Sequence, residues 1–140
     1  RHDWMLRVYQ WMGLPEKVLN VLRRMMEGGK TRLDVTDKVE TKISRWIRVR
    51  RGFLQGDRFS PVGFCLTEVP TAMMLEETDG YKMGQPGERD LKRTHSLFIN
   101  DLKVYQENHQ KLEIANETIV KASMDTGACY GVKKCAEIVF

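Results

Sequence analysis

No run of about 18 apolar residues occurs anywhere in the sequence, so no stretch of it suits a membrane-spanning helix. Cysteine is scarce: Cys65, Cys129 and Cys135 make an odd set without close pairing. That argues against a disulfide framework and for a reducing, intracellular compartment, cytoplasm or nucleus. The three histidines, His2, His95 and His109, are scattered, and no Cys/His spacing matches a zinc site. Internal repeats, low-complexity tracts and linkers are also missing. Arg1-His2-Asp3-Trp4 offers neither an initiator Met nor the apolar core of a secretory signal, so we expect a piece of a larger protein. What is present is ordinary. The 140 residues are 41% hydrophobic and 30% charged, globular usage rather than disordered.

The charge is uneven. Residues 1–70 carry 14 Lys/Arg against 8 Asp/Glu, whereas residues 71–140 carry 9 against 11. Lys42, Arg45, Arg48, Arg50, Arg51 and Arg58 crowd into 17 residues with one acid, Asp57. Such clustering marks either phosphate contact or a solvated strand face.

Apolar spacing predicts a short helix from Trp4 to Met12, stopped by Gly13. A second helix from Pro15 to Glu27 places Val18, Leu19, Val21, Leu22, Met25 and Met26 on one stripe, closed by Gly28-Gly29. Residues 30–36 and 42–50 alternate with period two and read as a hairpin, with Ile43, Arg45, Ile47 and Val49 on one face. Gly52 to Asp57 is a loop. Ser60-Pro61 caps and opens a third helix running through Phe64, Cys65, Leu66, Val69, Ala72, Met73 and Leu75, kinked or ended at Pro70. Gly80 to Gly84 is extended and 85–92 is a polar loop. Residues 96–99 and 102–105 form a hairpin around Asn100-Asp101, both tolerant of positive φ. A surface helix over 107–125 ends at Gly127, and a strand over 136–140 closes the chain. The three cysteines are expected as small apolar fillers. This order fits an α+β fold, with helices packed on one face of an antiparallel sheet.

The chemistry lies in an ordered set of short motifs. Gly52-Phe53-Leu54-Gln55-Gly56-Asp57 precedes Ser60-Pro61 and Phe64; Phe98-Ile99-Asn100-Asp101 comes next; Gly127 to Cys135 comes last with Lys133-Lys134. His2-Asp3-Trp4-Met5-Leu6 and Gly13-Leu14-Pro15 stand ahead of them. In that order the set resembles the reverse transcriptases of non-LTR retrotransposons, a branch of the right-hand polymerases, across essentially the whole chain. The resemblance implies a palm-type antiparallel sheet with an adjoining fingers-proximal hairpin over 1–140. It also implies an upstream strand and a thumb that lie outside these residues.

The activity implied by the resemblance is DNA synthesis directed by an RNA template, from a DNA primer and deoxynucleoside triphosphates. The family uses two Mg²⁺ ions about 3.5–4 Å apart, bridged by carboxylates. Asn100 stands at a metal-bridging position and Asp101 beside it, as the remaining metal ligand. Lys134 matches the lysine near the triphosphate. Gln55, Gly56, Ser60 and Pro61, with Arg48, Arg50 and Arg51, match template and nucleotide contacts. Asn keeps one carbonyl oxygen but neither the charge nor the bidentate bridge of Asp. We therefore expect weak Mg²⁺ binding and no polymerase activity from this chain. Two other readings stay open: a non-catalytic nucleic-acid-binding module using the basic cluster, or a decayed retroelement copy without function.

Overall fold

The computed structural model describes residues 1–37, 40–54, 56–84 and 91–138. They divide into two units, Arg1–Ser60 and the chain from Pro61 onward.

The first unit begins with helices α1 (His2–Trp11) and α2 (Glu16–Gly28). Gly13 turns the chain between them at φ +84°, a conformation that costs glycine nothing. Pro15 is the N-cap of α2 rather than its first residue, and its carbonyl accepts from the amides of Val18 and Leu19. Met5, Val8 and Tyr9 of α1 and Leu19 and Leu22 of α2 form the buried core.

Four short strands come next, in a nested hairpin. β1 (Lys30–Thr31) pairs with β4 (Ile47–Arg48), and β2 (Asp34–Thr36) pairs with β3 (Thr41–Ile43). Between the two ladders, residues 32–33 face residues 44–46, so one strand holds an extra residue. This β-bulge is pinned by Ser44. Its amide donates to the Leu33 carbonyl, and its hydroxyl oxygen accepts from the Leu33 amide at 2.9 Å. The extra residue breaks the expected alternation, so Ile43, Arg45, Ile47 and Val49 do not share one continuous face.

The second unit opens on α3 (Ser60–Glu76), which runs through Pro70 without ending there. Its buried face is not the expected apolar one. Gly63, Thr67, Glu68, Thr71 and Leu75 turn inward, while Cys65 and Met73 are exposed. Cys129 and Cys135 are exposed as well, so the thiols are not core fillers. α4 (His109–Thr126) buries Ala115, Ala122 and Thr126. Small residues recur on the buried faces of both helices. α4 is well bounded: the Asn108 side chain accepts from the Lys111 amide, and Gly127 closes it in the left-handed region.

Two hairpins lie between α3 and α4. β5 (Tyr81–Met83) pairs with β6 (Leu91–Arg93), and β7 (His95–Phe98) pairs with β8 (Asp101–Val104). Leu91 and Lys92, expected in a polar loop, are strand residues; residues 85–90 lie outside the described set. Gly80 holds φ +70°, and a Cβ there would sit 2.8 Å from Thr94 Cγ2 and 2.9 Å from the Arg93 carbonyl oxygen. Gln106 clamps this corner by accepting from the Gly80 amide and donating to the Thr78 hydroxyl, both at 2.9 Å.

After α4 the chain makes a short 3₁₀ turn, Val132–Lys134. Residues 136–138 are not a strand, contrary to expectation. The Cys135 amide closes the turn on the Val132 carbonyl, and the Glu137 carboxylate lies 2.9 Å from His109 Nδ1. The architecture is α+β, with every strand pair antiparallel. Among the described residues the strands make four two-stranded ladders and no wider sheet.

Candidate functional site

The β7–β8 turn is shifted by one residue from its expected place. Phe98 pairs with Asp101 across the ladder, so the two-residue loop is Ile99-Asn100 and Asp101 already belongs to β8. Ile99 takes φ +55°, and no other described non-glycine residue has a positive φ. A β-branched side chain in that region is sterically strained. Strain of this kind persists only where flanking structure imposes it, here the four-residue ladder on each side. Asn100, in the loop, and Asp101, the first residue of β8, are both exposed.

Asn100 and Asp101 alone do not make a two-metal site, because one carboxylate and one neutral amide cannot bridge two hard cations. No group of three or more His, Cys, Asp or Glu side chains capable of holding a metal gathers among the described residues. Lys134 is exposed at the end of the 3₁₀ turn, where its amide donates to the Gly131 carbonyl at 2.7 Å. Among the described residues it bonds to neither Asn100 nor Asp101. Tyr130 lies four residues earlier in the same segment. Burial, and then the nearby Glu68 carboxylate, push the Tyr130 phenol upward, while burial pushes the Glu68 carboxyl upward against a Thr71 hydrogen bond.

In the first unit, the Gly52–Ser60 loop is tied down from several sides. His2 Nε2–H donates to the Gly52 carbonyl at 2.9 Å, and the Phe59 ring meets Phe53 and Tyr9 edge-on. The Ser60 hydroxyl donates to the Leu54 carbonyl at 2.7 Å, and Ser60 is the first residue of α3. Its expected place just ahead of the helix is therefore corrected by one residue, and its hydroxyl helps to hold the loop. Pro61 is the second helical residue and exposed. Gly56, at φ +90°, has open space where a Cβ would stand, so backbone alone lines that point of the loop. Gln55 lies outside the described residues.

The basic cluster is the most developed feature of this unit. Arg45, Arg48, Arg50, Arg51 and Arg58 are exposed, and none forms an ion pair among the described residues. Lys30 stands directly opposite Arg48 across the β1–β4 pair, an unfavourable like-charge juxtaposition unless an anion lies near. Beside them Trp46 is 62% exposed, with the Arg32 guanidinium 5.2 Å from its ring centroid. Arg32 is itself oriented by Asp34 at 3.2 Å. Uncompensated cations around an open aromatic face are the two elements that hold phosphates and bases.

No protein-family model matches the chain. Among curated proteins, it is similar to the Retrovirus-related Pol polyprotein from type-1 retrotransposable element R2 of Nasonia vitripennis, with 31% identity over 122 residues. The chain is related to a retroelement polyprotein. The match takes in 87% of this chain but spans only 11% of the length of that polyprotein. Related sequence over most of the chain agrees with one inheritance for the β7–β8 turn, the basic hairpin and the Gly52–Ser60 loop. No helix among the described residues is long and apolar enough to cross a membrane.

Three features of the site are not readable from the sequence. The strain at Ile99 has no signal there, since Asn and Asp are the residues fitted for positive φ. The Trp46–Arg32 stack depends on the bulge. Lys30 opposite Arg48 emerges from counting register back from the hairpin only once the extra residue is known.

Proposed function

We propose that this chain is part of the reverse transcriptase palm of a non-LTR retroelement, joined to a basic hairpin that contacts nucleic acid. In this reading it has no catalysis of its own. The ordered motifs and the relatedness to a retrotransposon polyprotein support the ancestry. The observation that carries the loss of chemistry is the β7–β8 turn, where Asn100 stands in place of a bridging carboxylate. Within the complete polymerase, the template, primer and nucleotide would meet the Gly52–Ser60 loop, Arg48, Arg50 and Arg51, with Lys134 toward the triphosphate. Mg²⁺ supplies charge neutralisation at such sites when bound, and Asp101 is the one carboxylate this turn offers it. The test is primer extension by the purified chain on an RNA template with Mg²⁺, for the natural sequence and for Asn100→Asp. Neither should yield product. Product from either would mean that the ligands have been misassigned.

Binding without chemistry is the second part of the reading, favoured by the unpaired arginines and the Lys30–Arg48 juxtaposition. Affinity for single-stranded RNA should fall with salt at a log–log slope of about −0.7 per phosphate contacted. Arg48→Ala, Arg50→Ala and Arg51→Ala should each make that slope shallower. A flat salt response would leave the cluster as a solvated face.

A further inference from the structure

Helix α2 carries more apolar surface than its unit covers. At about 100° per residue, Val21, Met25, Val18, Leu22, Met26 and Leu19 succeed one another across an arc of about 160°. The polar residues Glu16, Lys17, Asn20, Arg23, Arg24 and Glu27 fill the rest. Leu19 and Leu22 are 2% and 6% exposed, whereas Val18, Val21 and Met25 are 43%, 57% and 53% exposed. The uncovered three stand at i, i+3 and i+7, the spacing of a coiled-coil seam. At its C-terminal end the seam meets a mostly apolar cavity of about 90 Å³, lined by Met25 and Met26 with Val49, Phe53, Leu54 and Phe59. That is smaller than the roughly 150 Å³ cavity that admits benzene, so it suits an aliphatic side chain rather than an aromatic ring or a base.

Charge selects the occupant. Lys17 and Arg24 edge the open side of the seam, both exposed and neither ion-paired among the described residues. An antiparallel second copy would set these cations against their own counterparts. A bilayer surface calls for a broad apolar face on a free helix, and half of this face is already buried. We propose that the Val18–Val21–Met25 face of α2 is a docking site for an amphipathic helix whose apolar seam is edged by Asp or Glu. One aliphatic side chain of that helix seats in the cavity beside Met25. This inference does not depend on the polymerase reading.

The test titrates the full chain into two fluorescein-labelled helical peptides read by anisotropy. Both are Ala-rich with Leu along the seam; one has Glu at the edges and its twin has Lys. The Glu peptide should bind saturably and the Lys twin at least about tenfold more weakly. Val21→Ser and Met25→Ser, both at exposed positions, should weaken the Glu peptide severalfold with unchanged far-UV circular dichroism. The double change Lys17→Glu/Arg24→Glu should invert the preference between peptides. Equal affinity for the twins, no binding of either, or no inversion would overturn the proposal. So would a concentration-dependent dimer abolished by Val21→Ser, which would give the face to a second copy. Co-sedimentation with phosphatidylserine vesicles abolished by the same change would give it to a membrane.

Discussion

Ile99 offers the sharpest check on the β7–β8 turn, because its strain can be isolated by comparing two truncations. Ile99→Ala and Ile99→Gly remove the same contacts from a side chain that is already 44% exposed. They differ only in the Cβ and in the freedom of the unfolded chain. At an ordinary φ, Ala is the more stable of the two by about 0.4–1 kcal/mol, since Gly loses more entropy on folding. At φ +55° the Cβ meets the following carbonyl oxygen and costs about 1–2 kcal/mol. The second effect is the larger, so the order inverts, and Ile99→Gly should exceed Ile99→Ala by about 0.5–1 kcal/mol. With a urea slope of about 1–3 kcal/mol/M, the midpoints should separate by a few tenths molar. The assay is paired urea unfolding monitored by far-UV circular dichroism, with equal slopes required of both variants. If Ile99→Ala proves as stable as Ile99→Gly, the loop is not Ile99-Asn100. Asn100-Asp101 would then return as the turn centre.

Gly80→Ala should destabilise by about 1–3 kcal/mol, because φ +70° and the carbonyl contact both resist a Cβ; an unchanged midpoint would show that the Gln106 corner can yield. His109 is held above its ordinary pKa of 6.5, first by hydrogen bonding to Glu137, then by the charges of Glu137 and Glu113. A raised folded pKa means that this contact contributes fully below about 6.5 and is lost as pH rises through the elevated value. Proteolysis near residues 135–138 should therefore quicken with rising pH across that window, and Glu137→Gln should flatten the profile. Glu68, raised by burial, works in the same direction: the stability tied to its protonated form fades as pH rises above its ordinary 4.5. Glu68→Gln should thus unfold at higher urea than the natural chain at neutral pH, with the gap closing toward pH 4.5; a constant gap would refute the assignment.

Long-period features of this fold are legible from sequence, and one-residue features are not. α2 and α4 emerge from apolar spacing, and the end of α4 from Gly127, whose backbone preference acts locally. α3 has a clear start but a misleading face. Its apolar residues outnumber its inward positions, and Gly63, Thr67 and Thr71 take the buried side. Small residues there permit close approach, a property of the neighbouring element as much as of α3 itself. β6 is hidden because Leu91 and Lys92 read as loop; their strand is defined by pairing with Met83 and Lys82.

The candidate site divides along the same line. The cluster of arginines between 45 and 58 is countable in the sequence, and so is the Asn100-Asp101 pair. How those residues are presented is not, because each presentation turns on a single register step. The extra residue opposite residues 32–33 breaks the alternation and places Trp46 beneath Arg32. The step from Asn100-Asp101 to Ile99-Asn100 moves Asp101 from the loop into a strand, opposite Phe98. Period-two patterns cannot resolve such a step in strands of two to four residues, since too few side chains vote on either face. The turn residues themselves mislead. Asn and Asp tolerate positive φ best, yet Ile99 bears it, because pairing Leu97 with Leu102 fixes the ladder and leaves the loop what remains. The strain at Ile99 is thus a consequence of register, and Asn100 is its neighbour in the loop.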